Sequence, residues 1–428
     1  MCKKILRSLS CCILSVLLLF LFPSAALTNN ISYSSLPDSS LAGPEIKAKS
    51  AVLMESKRGQ ILYGKSPDTK LHISAANKIM CALVVIESTK LDAKVTISKE
   101  AVDTQGSTLN LEVGEKYSVE DLLYAIMLTS ANDVAIALAE YVGGDIAKFV
   151  DMMNTKAYDL NLKDTYFTNP TGLYDENQYT TAYDMAMLIK YAISNPTFNR
   201  IFATSLKPWV SAGGKSTVLK SQNELFWSYD GVDGGKTGYN VPELQTAITT
   251  ASNNNLRLIC VVLDSPQSSV FVDSTNLLNF GFLHFRTGIL VKKGEPLQSV
   301  TIGDQIVNLI SSTDIYYTHP IGESFVKSFD VKIINDLTPP IQKNMIIGTA
   351  RYILQDNTII DINLYPDREI SPPQSLYSVI SSKVSENRDI FILVGTLLAI
   401  EVVLMIYNLT RYIAKKRNKK RNPESVNN

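Results

Sequence analysis

Three short motifs stand in order along this chain and hold the residue types from which chemistry is built. The first is Ala75-Ala76-Asn77-Lys78, the second Ser130-Ala131-Asn132, and the third Lys236-Thr237-Gly238, which follows Asp233-Gly234-Gly235. A lone Lys-Thr-Gly or Ser-x-Asn arises often by chance, but the ordered set within an α/β body is specific. Only three His are present, at 72, 284 and 319. They leave little room for a His-based metal site or a Ser-His-Asp machine. His72 reads as a loop residue. Acid–base chemistry therefore falls to Lys or carboxylates. No spacing resembles a zinc site, and no metal or cofactor is expected.

The elements that must position these motifs are legible in the periodicity. Residues 75–87 have helical apolar spacing at Ile79, Leu83, Val84 and Ile86, with hardly a charge after Lys78. That pattern predicts a helix buried nearly all round. Ser118-Val-Glu-Asp121 is a helix start with an N-cap and an acidic first turn. This helix breaks at Thr129-Ser130-Ala131-Asn132, resumes to Tyr141 and stops at Gly143-Gly144. Thr181 opens another helix, expected to end at Asn195-Pro196. Short strands are expected at 51–54 and 60–63, joined by a hairpin turn at Ser56-Lys57-Arg58-Gly59, and at 95–97, 244–250 and 256–263. The Lys-Thr-Gly motif is expected just before the strand at 244. From about 287 to 365 the texture changes to short β-type runs separated by turn residues, as in a small antiparallel domain.

Length and composition fit this picture. The chain has 428 residues, 45% hydrophobic and 19% charged, with zero formal net charge. It is long enough for two or three domains, is not a disordered chain, and has no electrostatic footprint for nucleic acid. The zero is a sum over unlike parts. A basic start, a short apolar stretch and Pro23-Ser24-Ala25-Ala26 read as a signal peptide over residues 1–26, with an uncleaved anchor as the alternative. Residues 390–409 form an apolar run about as long as a bilayer is thick, interrupted by Glu401 and followed by a basic tail at 410–428. Positive charge beside a span marks its cytoplasmic side, which places the body outside the cytoplasmic membrane. Residues 27–409 hold 31 basic and 40 acidic residues, so the external part is acidic. Cys2, Cys11 and Cys12 fall in the signal segment. Cys81 and Cys260 sit in apolar runs, where buried thiols are expected ahead of a disulfide.

With its flanking strings, the motif set resembles the serine-type D-alanyl-D-alanine carboxypeptidases, the low-molecular-mass penicillin-binding proteins of the β-lactamase-like superfamily. The strings include Ser50-Ala-Val-Leu-Met54, Gly59-Gln-Ile-Leu-Tyr63, Gly106-Ser-Thr-Leu-Asn-Leu-Glu-Val-Gly114, Asn169-Pro-Thr-Gly-Leu173 and Thr180-Thr-Ala-Tyr-Asp184. The resemblance implies an α/β (α+β) transpeptidase-like domain at 45–286 and a small C-terminal all-β domain at 287–367. A linker at 368–389, a transmembrane helix at 390–409 and the basic tail complete the chain. It also implies roles. A serine attacks the carbonyl between two D-Ala residues. Lys78, kept neutral by burial and neighbouring cations, is its base. Ser130 passes a proton to the leaving amine, and Asn132 holds Lys78 and the substrate amide. Lys236 and Thr237 take the terminal carboxylate. Lys236, Thr237, Gly238 and Tyr239 form the substrate-binding strand, and the oxyanion lies between the backbone N–H groups of residues 75 and 239.

The departure from the family pattern matters as much as the match. The family's nucleophile stands three residues before the Lys, and here that position is Ala75. Gln178 stands where the family commonly has His, and Glu243-Leu244 replaces the usual Ala-Gly pair after Lys-Thr-Gly. Ser74 precedes Lys78 by four residues and is the possible alternative nucleophile. Moving one residue back on a helix rotates a side chain by roughly 100° and shifts it by about 1.5 Å, away from the oxyanion donors. Ser74 reads better as an N-cap. Two functions follow. One is a pseudoenzyme that docks peptidoglycan stem peptides ending in D-Ala-D-Ala, and β-lactams non-covalently, without cleaving them. The other is a working D-Ala-D-Ala carboxypeptidase using Ser74. A β-lactamase is a weaker third reading, because no added deacylating Glu motif is seen.

Overall fold

The computed structural model describes residues 42–421 apart from 73, 242–243, 323–325, 356 and 373–375. The signal-peptide reading at 1–26, part of the 368–389 linker and the end of the basic tail lie outside the described residues. In chain order the elements begin β1 (Ser50–Glu55), β2 (Ile61–Lys65), α1 (Ser74–Ser88), β3 (Lys94–Thr96), α2 (Lys99–Val102), β4 (Lys116–Ser118), α3 (Val119–Thr129), α4 (Asn132–Gly143) and α5 (Ile146–Asp159). Next come α6 (Ala182–Ala192), α7 (Pro196–Phe202), β5 (Leu206–Val210), β6 (Ser216–Lys220), α8 (Leu225–Ser228), β7 (Val232–Val241), β8 (Leu244–Asn253), β9 (Leu256–Pro266) and α9 (Val270–His284). The rest are β10 (Phe285–Val291), β11 (Pro296–Ile302), β12 (Gln305–Ser311), β13 (Ile315–Pro320), β14 (Val326–Ile333), β15 (Gly348–Leu354), β16 (Ile359–Pro366), α10 (Leu376–Glu386) and α11 (Arg388–Arg421).

A five-stranded antiparallel sheet, order β2-β1-β9-β8-β7, separates two apolar layers. Alternation along the strands explains both layers. Val52, Met54, Ile259 and Val261 pack with the helical side, including Ile79, Leu83, Leu122 and Leu138. Leu53, Cys260 and Val262 face the other way, onto Leu277 and Leu278 of α9. The predicted hairpin between β1 and β2 forms. Its turn is closed by the Glu55 carboxylate, which accepts from the backbone N–H groups of Lys57 and Arg58, both at 2.8 Å. In the C-terminal part of the chain β11 pairs with β12, and β10 pairs with β13.

The described chain divides into two compact units, residues 42–295 with 311–332 and 349–363, and residues 296–310 with 333–348 and 364–421. The first holds the antiparallel sheet β2-β1-β9-β8-β7 and helices α1–α9. The second holds the β11–β12 hairpin, tightened at Ile302↔Gln305, and α10 and α11. Within α11, Arg388–Arg417 is long and apolar enough to cross a membrane, its most apolar 18 residues having a mean hydropathy of 2.6.

One expectation is corrected and one refined. The Thr181-capped helix ends at Ala192, not at Asn195-Pro196. Asn195 instead caps α7, accepting from the N–H groups of Thr197 and Phe198, with Pro196 at the first helical position, where its missing N–H does no harm. The Lys-Thr-Gly motif does precede the strand at 244, but it lies within a strand of its own, the ten-residue β7. Its glycines dilute the alternating pattern by which a strand is recognised.

Candidate active site

The first motif lies at the start of α1. Both layers around this helix are apolar, and Asn77 and Lys78 are buried along with Ala76 and Ile79. The helix opens at Ser74; the side chains of Ser74 and Ala75 lie outside the described residues. Lys78 reaches the cleft from within the core. Its Nζ donates to Asn132 Oδ1 at 2.8 Å and to the Thr171 carbonyl. Burial lowers its pKa to about 8, opposed by the neighbouring Cys81 thiol, itself pushed up to about 12 by burial. Cys81 and Cys260 are both free and buried, as their apolar surroundings predict.

The second motif is the junction of α3 and α4. Ser130 takes a left-handed conformation, φ 60° and ψ 27°, which ends α3 and lets α4 start two residues later. Asn132 is oriented from both sides. Its Nδ2 donates to the Gln105 carbonyl at 2.7 Å, and its backbone N–H to the Ser107 carbonyl at 2.6 Å. Between them sits Gly106, at φ +92°, where a Cβ would lie 2.6 Å from Asn132 Nδ2. The neighbouring Asp133 is almost fully buried and accepts from the N–H groups of Leu109 and Leu111, pinning the same loop.

The third motif is on β7, the edge strand. Lys236 is 1% exposed, and its Nζ donates to Ser130 Oγ and, at 2.7 Å, to the Thr237 carbonyl. Burial and the charge of Lys78 push its pKa well below the ordinary lysine value. The strand passes close to Asn223, which donates to Thr249 Oγ1 at 2.8 Å. A Cβ at Gly235 would sit 2.2 Å from Asn223 Nδ2, so this approach requires glycine. The Thr237 hydroxyl is buried without a hydrogen-bond partner.

Lys78, Ser130, Asn132, Thr171, Gly238 and Tyr239 line one cleft of about 370 Å³. Three motifs separated by many residues in the chain thus meet at one place. Lys236 and Thr237 are buried behind the cleft on β7, Lys236 donating to Ser130 of its lining, and Tyr239 stands half exposed at its edge. Two amines with lowered proton affinity, a hydroxyl bonded to one and an amide bonded to the other are the equipment for moving protons at a bound carbonyl.

Sequence reasoning assigned no role to three further contributors. The Thr171 carbonyl holds Lys78 and is itself set by the Asn169-Pro-Thr-Gly turn, where Asn169 Oδ1 accepts from Gly172 N–H at 2.7 Å and from the Thr171 hydroxyl at 2.9 Å. Asn77 Nδ2 donates to the Asn169 carbonyl and to Gln178 Oε1, both at 2.5 Å, tying α1 to this turn. Asp133 fixes the Gly106 loop. An Asn-Pro-x-Gly string is a turn signal with a mechanism, and it was the readable clue to Thr171.

Comparison with known proteins agrees with this geometry. The family profile for D-alanyl-D-alanine carboxypeptidase (peptidase S11) matches residues 38–267, and that for the C-terminal domain of penicillin-binding protein 5 matches residues 285–371. The D-alanyl-D-alanine carboxypeptidase DacF of Bacillus subtilis is 34% identical over 314 residues, covering 71% of this chain and 80% of that protein. DacA of Haemophilus influenzae is 32% identical, covering 75% of this chain and 84% of the relative. The crystal structure of penicillin-binding protein 5 from Haemophilus influenzae superimposes with a TM-score of 0.67 at 29% identity, over 77% of this chain and 99% of that one. By motif, fold and relatives, the chain belongs to the serine D-alanyl-D-alanine carboxypeptidase family of low-molecular-mass penicillin-binding proteins.

Proposed function

We propose that this protein binds peptidoglycan stem peptides ending in D-Ala-D-Ala without cleaving them. The observation that carries the reading is Ala75, three residues before Lys78, where the family places its nucleophilic serine. Losing a serine nucleophile costs a hydrolase roughly 10⁶-fold in kcat and leaves about 10³–10⁴ over water. Substitution to Ala keeps the backbone N–H that would serve the oxyanion, and Ala suits a helix start. In this reading Lys78 and Asn132 hold the peptide amide, Ser130 faces the scissile nitrogen, and Lys236 and Thr237 take the carboxylate beside Gly238 and Tyr239. β-Lactams occupy the same cleft non-covalently. The Arg388–Arg417 segment of α11 spans the cytoplasmic membrane with its basic end inside, which puts the cleft on the cell-wall side.

The test is incubation of the purified protein with a fluorescent penicillin, followed by denaturing electrophoresis and intact mass. No covalent adduct is expected. An adduct mapped to Ser74 would establish the other reading, a working carboxypeptidase with a displaced nucleophile.

A further inference from the structure

We propose that α11 pairs in the membrane with α11 of a second copy of this chain, along a seam centred on Glu401 and Asn408. The proposal rests on reading Arg388–Arg417 as a membrane span. The apolar run at 390–409 has its midpoint between residues 399 and 400, so Glu401 lies about 2 Å from the centre along the axis. A carboxyl group there is expensive, and the short Glu side chain does not reach either interface. Its own helix offers no relief. The residues three and four positions away are Leu397, Leu398, Leu404 and Met405, and none carries a donor. Residues 388–417 of the helix are exposed in the single chain, and no donor for Glu401 lies among the described residues.

The spacing points to a second copy. Ile390, Val394, Leu397, Glu401, Leu404 and Asn408 follow each other by four, three, four, three and four residues, the heptad seam of a coiled coil. Val394, Glu401 and Asn408 take one core position, and Ile390, Leu397 and Leu404 the other. A β-branched residue at the first and Leu at the second favour two parallel strands, and a polar residue at the first fixes register. Copies inserted the same way place Glu401 against Glu401 and Asn408 against Asn408 at equal depth. Both pairs are self-complementary. A carboxamide offers donors and an acceptor, and two carboxyls sharing one proton form a hydrogen bond. The hydroxyls of Thr396 and of Thr410, just past the run, need no partner. Each hydroxyl donates to a carbonyl of its own helix, Leu393 and Tyr407, at 2.8 Å.

The experiment co-expresses two differently tagged full-length chains, solubilises the membrane fraction in mild detergent and captures one tag. The wild type is expected to bring down the second tag, Glu401→Gln to do so equally, and Glu401→Leu with Asn408→Leu to recover at least tenfold less. Val403→Ala, on the far side of the helix, should match wild type. Equal recovery of the double variant, equal loss with Val403→Ala, or a membrane-bound wild type that captures no second copy overturns the pairing. A full chain found in the soluble fraction overturns the span itself, and the proposal with it.

Discussion

The two walls of the cleft have fared differently. The β7 wall is complete. Lys236 and Thr237 stand on a strand held close by Gly234 and Gly235, and Lys236 reaches across to Ser130. The α1 wall keeps its amine, with Lys78 held by Asn132 and Thr171, but the residue one turn earlier is Ala75. On the proposed reading, recognition of a substrate and attack on it are built from different elements of this fold, so that one hydroxyl is removable from the second without disturbing the first.

Restoring the oxygen tests that separation most severely. Ala75→Ser should turn a non-covalent site into one acylated stoichiometrically by penicillin, with a rise in acylation rate of about 10³-fold or more on the scale of nucleophile deletions. Intact mass after timed quenching reads it directly. Failure of the variant to acylate would mean that the α1 wall has lost more than a hydroxyl.

A second, smaller effect concerns the amine itself. Lys78 titrates at about 8 in the folded protein against an ordinary 10.5, so between these values the unfolded chain binds more protons. The sign follows: stability rises with pH across this window, and below pH 8 the folded state carries the full penalty of a buried ammonium, ~3 kcal/mol. Lys78→Met removes this contribution. Measured by denaturant unfolding from pH 7 to 10.5, the wild type should gain stability relative to Lys78→Met. Parallel curves would show that Lys78 is not the titrating group. Comparing slopes avoids the hydrogen bonds that the substitution also deletes.

The smallest effect belongs to the β7 wall. Since the Thr237 hydroxyl has no partner in the free protein, Thr237→Val should leave thermal stability within about 1 kcal/mol. Affinity for a D-Ala-D-Ala peptide should fall by roughly 10–100-fold, one hydrogen bond to a charged carboxylate, by calorimetry. A large loss of stability would instead give the hydroxyl a structural duty.

The parts of this site that were legible in the sequence are those carried by side chains in periodic elements. An uncharged run with one Lys announced α1, and a helix broken at Ser130 announced the α3–α4 junction. What escaped was carried by backbone atoms and by glycines. No residue type marks the Thr171 carbonyl as a ligand of Lys78, because every residue has a carbonyl. Gly234, Gly235 and Gly238 hid β7 for the reason that they permit it: absence of a side chain allows close approach and erases alternation. Asn195-Pro196 signals a helix boundary correctly, but a boundary has two sides, and it proved to be the start of α7.

The two buried lysines have a last consequence. Each amine is enclosed by the core without a carboxylate ion pair among the described residues, and Lys78 stands one turn from Ala75. Burying an amine costs stability, and an apolar replacement at either position would remove that cost while leaving the amine's hydrogen-bond acceptors unpaired. Ala75 stands three residues before Lys78, and both amines are present in the chain. On the proposed reading, the cleft serves as a place to be occupied rather than as a place to react.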